Sequence, residues 1–266
     1  ILYMGHNYLG QHLNPPITFD DGEGCQFKLT GMGTEPYCKD LIVPRLREFK
    51  PDIFCTLLDT FMVFPWFMQM DFAPAKSVFY FPSDGGGQLP QGCENILRRM
   101  TKSVAMAKFG QKQCKEYYNL DTAYIPHAVD TKIFYRLSEE ERNKARLKWG
   151  FQDKFVVGVV ARNQGRKMLD RTLKTFKIFC KDKPNAILFM HTDPYDRAGV
   201  FDMTQMIQRE GLQNRVVFSG MNFFKGFDYK QMNEVYNVMD VFLLTTSGEG
   251  FGVPIIEAMA CEVPVI

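Results

Sequence analysis

The stretch "SGEGFGVPIIEAMA", Ser247–Ala260, follows "NVMDVFLLTT", an apolar run with one acidic residue just before it. The run predicts a strand of a parallel sheet, and the small-residue segment after it predicts a helix. Open parallel sheets bind ligands at the carboxyl ends of their strands, which is where "SGEGFG" falls. Gly248, Gly250 and Gly252 alternate, so the loop can bring bare backbone N–H groups close to a ligand. Pro254 suits the first turn of a helix, and a helix N-terminus favours an anion. This chemistry suits a phosphate or diphosphate, although alternating glycines also serve an ordinary turn. Glu249 lies in the loop, within reach of hydroxyls. Glu257 lies eight residues later, inside "IIEAMA". It reads either as a solvated helix position or as a carboxylate for a ribose diol.

A second constellation stands after another apolar strand, "FVVGVVA", Phe155–Ala161. The segment "ARNQGRK" sets Arg162, Arg166 and Lys167 within six residues. Arg offers a rigid bidentate fork and Lys a mobile point charge, a pair suited to a diphosphate leaving group. Alone, this would also read as a solvated basic loop. Two such loops at neighbouring strand ends make the anion-binding reading the stronger one.

Around these loops, strand and helix signals alternate, the α/β signature. "EEERNKARLKWG" predicts a charged helix closed by Gly150, with acidic residues early and basic residues late, matching the helix dipole. Helices follow at 168–180, 202–210, 231–239 and 254–260. Strands follow at "AILFMH", "RVVFSG", "VFLLTT" and "PVI". In the first half, strands are expected at "ILYMG", "DIFCTLLD", "SVFYFPSD", "KSVAMAK" and "TAYIPHAV", and helices at 38–49, "CENILRRM" and "GQKQCKEYY". The Gly-, Pro- and Asn-rich stretch His6–Tyr37 predicts loops. "PHAVDTKIFYRLS" lacks periodicity and divides the chain into two α/β domains, 1–126 and 127–266.

Composition narrows the function classes. The 266 residues are enough for two cores, and 45% apolar with 23% charged residues argues against wholesale disorder. A net charge of +2 gives no nucleic-acid footprint. The seven cysteines are scattered, without a C-x-x-C, which predicts small buried hydrophobes in a reducing compartment. No run is long enough to span a bilayer, and no signal peptide is recognisable. The chain opens without Met and closes on a strand, so it is expected to be an incomplete view of a longer protein.

"EGFGVPIIEAMACEVPVI" resembles the signature of the retaining, nucleotide-sugar-dependent glycosyltransferases of the GT-B class, family 4. "IPHAVDTKIFY" resembles that family's linker, "GVVARNQGRK" its donor-phosphate loop, and "VYNVMDVF" its L-Y-N-x-A-D-V-F segment. The likeness is strong from Ile125 onward and faint before it. It implies two Rossmann-like domains facing across a cleft, truncated at both termini, with an acceptor-side domain first and a donor domain second. It implies transfer of a sugar from a nucleotide diphosphate to an acceptor hydroxyl with retained anomeric configuration, without cofactor or metal. No D-x-D occurs in the sequence. By position, Glu249 is the family's glutamate beside the transferred sugar, Glu257 the ribose ligand, and Arg162 with Lys167 the cations on the diphosphate. Arg166 stands next to that pair. The backbone at Gly250, Phe251 and Gly252 would hold sugar and phosphates, with Val253 against the nucleotide. Ala128 and Glu262 stand where the family usually has glycine.

On the acceptor side, Asp59 and Asp84 follow strand ends, each readable as a turn aspartate or an acceptor contact. His127 lies in the dividing segment, and His191 at a donor-domain strand end near nucleotide or sugar. Phe61, Phe64, Trp66, Phe67 and Phe72 read as core before they read as an acceptor or membrane patch. A cytoplasmic site of action is expected, with peripheral membrane contact if the glycan acceptor is lipid-linked. The competing readings are an epimerase or phosphorylase-like enzyme and a non-catalytic sugar-nucleotide-binding or scaffold protein of the same fold. A nicotinamide oxidoreductase is disfavoured, because no G-x-G-x-x-G follows the first strand of either half.

Overall fold

The computed structural model describes residues 2–4, 17–20, 24–30, 35–64, 66–86, 88–222 and 225–266. They form two compact units, Ile1–Pro126 and His127–Ile266. Both are α/β with parallel sheets.

In the first unit, β1 (Leu2–Met4) pairs parallel with β3 (Gln26–Thr30), and β2 (Ile17–Asp20) pairs antiparallel with β3. Two strands thus lie within the stretch that composition predicts as loop. "ITFD" and "QFKLT" alternate apolar and polar, a period-2 signal that the surrounding Gly and Pro obscure. Residues 6–16, 21–23 and 31–34 of that stretch lie outside the described residues. After α1 (Ile42–Phe49) come β4 (Ile53–Leu57), the single turn α2 (Thr60–Val63), β5 (Lys76–Phe81), α3 (Cys93–Arg99), β6 (Lys102–Ala105), α4 (Lys108–Tyr118) and β7 (Ala123–Tyr124). Strands β4-β5-β6-β7 form an all-parallel sheet in sequence order. Its core is aromatic. Phe67 and Phe79 are fully buried, Phe54 stacks on Phe72 at 4.9 Å, and Phe67 meets Phe72 at 5.4 Å. Phe64 and Trp66 pack against this cluster, while Phe61 is exposed. The aromatic series is therefore mainly core.

The second unit contains α5 (Glu139–Trp149), β8 (Phe155–Val160), α6 (Leu169–Phe179), β9 (Ala186–His191), α7 (Met203–Glu210), β10 (Val216–Phe218), α8 (Tyr229–Asn237), β11 (Val241–Phe242) and α9 (Val253–Ala260). Its all-parallel sheet runs β10-β9-β8-β11. All six residues of β9 and five of six in β8 are buried, as strands covered on both faces require. The strand expected over "VFLLTT" is two residues long, Val241–Phe242. Its pairing nevertheless continues, with Leu243 N donating to Gly158 O at 2.8 Å and Leu244 N to Ile266 O at 3.0 Å. Ser138 and Glu141 form a capping box on α5, and Gly150 closes it in the left-handed region at φ 72°.

Two polar devices fix this unit. Asp240 binds Arg142 at 2.7 Å and the buried Arg146 at 3.2 Å, and accepts from Val156 N at 2.8 Å, locking α5 to the starts of β8 and β11. Asn233 and Asn237 of α8 grip the segment entering α5: Tyr135 N donates to Asn233 Oδ1 at 3.1 Å and Leu137 N to Asn237 Oδ1 at 2.8 Å. That segment lacks periodicity because side chains of another helix hold it. The cysteines are free thiols, with Cys38, Cys93, Cys114, Cys180 and Cys261 buried and Cys25 and Cys55 exposed. Ala128 lies outside the left-handed region, whereas Glu262 sits in it at φ 57°. Among the described residues no helix is long and apolar enough to cross a membrane.

A candidate anion site at the ends of strands eight and eleven

Because β8 and β11 are neighbours, the loops leaving their carboxyl ends run side by side. Hydrogen bonds stitch them together. Ser247 N donates to Arg166 O at 2.8 Å, and Thr246 Oγ1 donates to the same carbonyl at 3.1 Å. Thr245 Oγ1 donates to Met168 O at 3.0 Å and lies 2.7 Å from Thr172 Oγ1. Three consecutive hydroxyl residues thus satisfy backbone carbonyls of the basic loop, beside the bonds that Arg171 N and Thr172 N of α6 donate to Met168 O.

The stitching sets Glu249 against the cations. Lys167 Nζ lies 2.5 Å from Glu249 Oε1, and Arg166 Nη1 lies 2.9 Å from Oε2 and 2.9 Å from Gly248 O. Burial works to raise the Glu249 carboxyl. The hydrogen bonds and charges of Lys167 and Arg166 outweigh it and hold the carboxyl below its ordinary value. Two cations against one carboxylate leave one positive charge. The N-terminus of α9 adds its dipole, with no acidic residue in its first turn. Gly252 caps that helix at φ 85°, where an added Cβ would stand 2.9 Å from Ile255 Cδ1. The combination favours an anion.

Arg162 is placed differently. Its Nε lies 2.8 Å from Oδ2 of Asp196, a nearly buried carboxylate on the loop after β9. The Arg162 hydrogen bond holds Asp196 below the usual carboxylate range. Asn163 clasps the same loop, donating from Nδ2 to Phe201 O at 2.7 Å and accepting from Phe201 N at 3.1 Å. Gly199 is required there, because a Cβ would lie 2.6 Å from Asn163 Nδ2 and 2.8 Å from Asp196 O. Of the three cations, the structure brings Lys167 and Arg166 onto Glu249 and directs Arg162 to Asp196.

Glu257, in the second turn of α9, accepts a 2.5 Å hydrogen bond from Tyr236 Oη. Burial pushes its carboxyl up, opposed by that hydrogen bond. His191 ends β9, buried, with Nδ1 2.9 Å from Ser219 Oγ and its ring 4.9 Å from Phe227. Burial drives it down to about 4, so it is neutral at pH 7. His127 meets Phe251 edge-on at 5.3 Å. Gly250 lies in the loop and Val253 opens α9. In the first unit, Asp59 follows β4 and Asp84 follows β5, so both stand beyond the ends of adjacent parallel strands. Gly87, beside Asp84, lies outside the described residues.

Sequence reasoning misses Asp196, Asn163, Tyr236 and Ser219. Asp196 had a signal in the turn-rich "TDPYDRAG" after a strand end. Tyr236 and Ser219 had none, because each acts on a partner on another element.

Residues 141–266 match the family model of Glycosyl transferases group 1. The chain is 27% identical over 149 residues to mannosylfructose-phosphate synthase of Agrobacterium fabrum, covering 53% of this chain and 31% of that protein. It is 25% identical over 173 residues to the lipopolysaccharide core biosynthesis mannosyltransferase LpsB of Rhizobium meliloti, covering 64% and 46%. The chain therefore spans less than half the length of these two relatives. Anabaena Alr3699/HepE in complex with UDP-glucose superposes with a TM-score of 0.72 at 18% identity, over 89% of this chain and 66% of that one. The sucrose-phosphate synthase from Thermosynechococcus elongatus gives 0.72 at 17% identity, over 95% and 68%. The chain thus carries, over residues 141–266, a domain that matches Glycosyl transferases group 1, within an α/β fold of the GT-B glycosyltransferase kind.

Proposed function

We propose that the second unit binds a nucleotide-diphosphate sugar and that the protein transfers the sugar to an acceptor hydroxyl with retained anomeric configuration, as a family 4 enzyme. The observation that carries this reading is the Lys167–Glu249–Arg166 cluster beside the N-terminus of α9, at neighbouring parallel strand ends. In the reaction, the sugar C1–O bond to the diphosphate breaks, a bond from the acceptor oxygen to C1 forms, and the acceptor's proton is released. Negative charge grows on the diphosphate. Lys167, Arg166 and the α9 dipole would stabilise it where it develops, which accelerates the step only if the contact strengthens in the transition state.

With the donor bound, the diphosphate would draw Lys167 and Arg166 toward itself, leaving Glu249 beside the sugar. Glu257 would take the ribose, and His191 would face nucleotide or sugar as a neutral imidazole. Arg162, steadied by Asp196, would add a further cation. Two protein cations supply the charge stabilisation that a divalent ion gives elsewhere, so the transfer is proposed to be metal-independent. Asp59, Asp84 and His127 are proposed on the acceptor side, the acceptor being a carbohydrate, glycan or lipid-linked sugar. The UDP-glucose bound to the Anabaena protein and the mannosyltransferase name of the Rhizobium relative support a nucleotide-sugar donor. Action in the cytoplasm is proposed with this donor.

The test is a hydrolysis and transfer screen with UDP-, GDP- and ADP-sugars, with and without EDTA, the product's anomeric configuration being read by proton NMR. Donor turnover that is unchanged by EDTA and gives a retained linkage is the expected result. Donor binding without turnover on any acceptor would favour the non-catalytic binding protein, and an EDTA-dependent or inverted product would refute the corresponding part of the mechanism.

A further inference from the structure

Resting on the donor-site reading above, we infer that Tyr236 is a positioning residue for the nucleotide ribose, acting through Glu257. Tyr236 is wholly buried in α8, its ring packed near Phe134 at 5.9 Å and Phe242 at 6.0 Å. Its hydroxyl donates to Glu257 Oε2 at 2.5 Å. The two residues are 21 apart, on α8 and α9. The bond therefore ties the carboxylate to a neighbouring helix rather than to its own. A phenol buried in an apolar cluster needs an acceptor, and a half-buried carboxylate needs a donor, so the pair satisfies both.

The geometry has a consequence for ligand recognition. One carboxylate oxygen, Oε2, is engaged by the phenol. The other, Oε1, accepts no protein hydrogen bond among the described residues, and it is not a buried unpaired atom. Oε1 is thus the atom presented to a ligand. Locking a long side chain in one rotamer removes the entropy a ligand would otherwise have to remove, which is preorganisation. Glu257 accordingly meets the ribose hydroxyls with its carboxylate already fixed in place by the phenol.

The test is calorimetric binding on the 266-residue chain. UDP, GDP and ADP are titrated first. The tightest of them is then compared with its 2′-deoxy and 3′-deoxy forms, in wild type, Glu257→Gln and Tyr236→Phe. A charge-assisted hydrogen bond predicts that wild type binds at least one deoxy form roughly 10- to 100-fold more weakly than the ribonucleotide. Glu257→Gln should collapse that ratio to about threefold or less. Tyr236→Phe keeps the ring packing and should lower the ratio at least threefold, while affinity for the discriminated deoxy form stays within twofold of wild type. Equal losses for ribo and deoxy forms in Tyr236→Phe would show that the tyrosine only packs, and would overturn the inference. If Glu257→Gln itself leaves the ratio unchanged, the donor-site reading fails, and this inference with it.

Discussion

Two glutamates eight residues apart sit in opposite surroundings. Glu249, in the loop before α9, meets two cations, and its carboxyl is held below its ordinary value. Glu257, in the helix itself, meets a phenol, and burial pushes its carboxyl up. The same residue type is thus a fixed anion at one end of the segment and a hydrogen-bonding arm at the other. The difference comes from what the neighbouring elements present: the basic loop after β8 in one case, the apolar cluster of α8 in the other. Environments that separate two carboxylates in this way mark separate roles in a site.

That contrast breaks most easily at Glu249. Glu249→Ala leaves Lys167, only 9% exposed, beside Arg166 with no carboxylate between them. Removing one partner of such a buried pair costs about 3 kcal/mol of stability, and transfer should fall by roughly 100-fold or more. Urea unfolding followed by Trp149 fluorescence in a Trp66→Phe background, together with donor turnover, checks both. Glu257→Gln should leave stability within about 1 kcal/mol, since it removes no ion pair. A similar loss in the two variants would erase the distinction.

Acid titration sharpens the comparison by adding a third group. His191 is neutral when folded, at about 4, against 6.5 in the unfolded chain. Its folded value is depressed, so the unfolded state gains the proton first, and stability falls as pH drops from 6.5 toward 4. The loss approaches about 3 kcal/mol, and His191→Asn should flatten this window. Glu249 acts lower. Its contribution is present above 4.5 and is lost as pH falls through its lower folded value. Stability curves between pH 3 and 8 for the two variants would separate the two windows.

The smallest effect lies just past α9. Glu262 holds a left-handed backbone at φ 57° while exposed to solvent. Glu262→Gly relieves that conformation and should stabilise the second unit by about 0.5–1 kcal/mol, read as a rise in the Trp149 transition. Since it touches neither glutamate, donor affinity should not change.

These particulars show where the sequence was legible. The runs "FVVGVV" and "AILFMH" announce buried parallel strands because covering both faces leaves no polar alternation. "SGEGFG" and "ARNQGRK" read as an anion site because glycine and cation spacing are local properties, and the structure brings the two loops side by side. What stays hidden is pairing across elements. Nothing in the spacing of Arg162, Arg166 and Lys167 shows that Asp196, 34 residues from Arg162, takes one of them while Glu249 takes the other two. The Tyr236 hydroxyl is equally silent, since its residue reads as core. The β2–β3 hairpin was hidden for another reason: its alternation is short and embedded in residues that favour turns.

The measurement that tests the central claim most directly is calorimetric titration of UDP, GDP and ADP into wild type and Lys167→Met. If the cluster holds the donor's diphosphate, wild type binds at least one of the three, and Lys167→Met weakens that binding tenfold or more in a folded protein. Unchanged affinity in Lys167→Met would contradict the assignment of the diphosphate to the ends of β8 and β11.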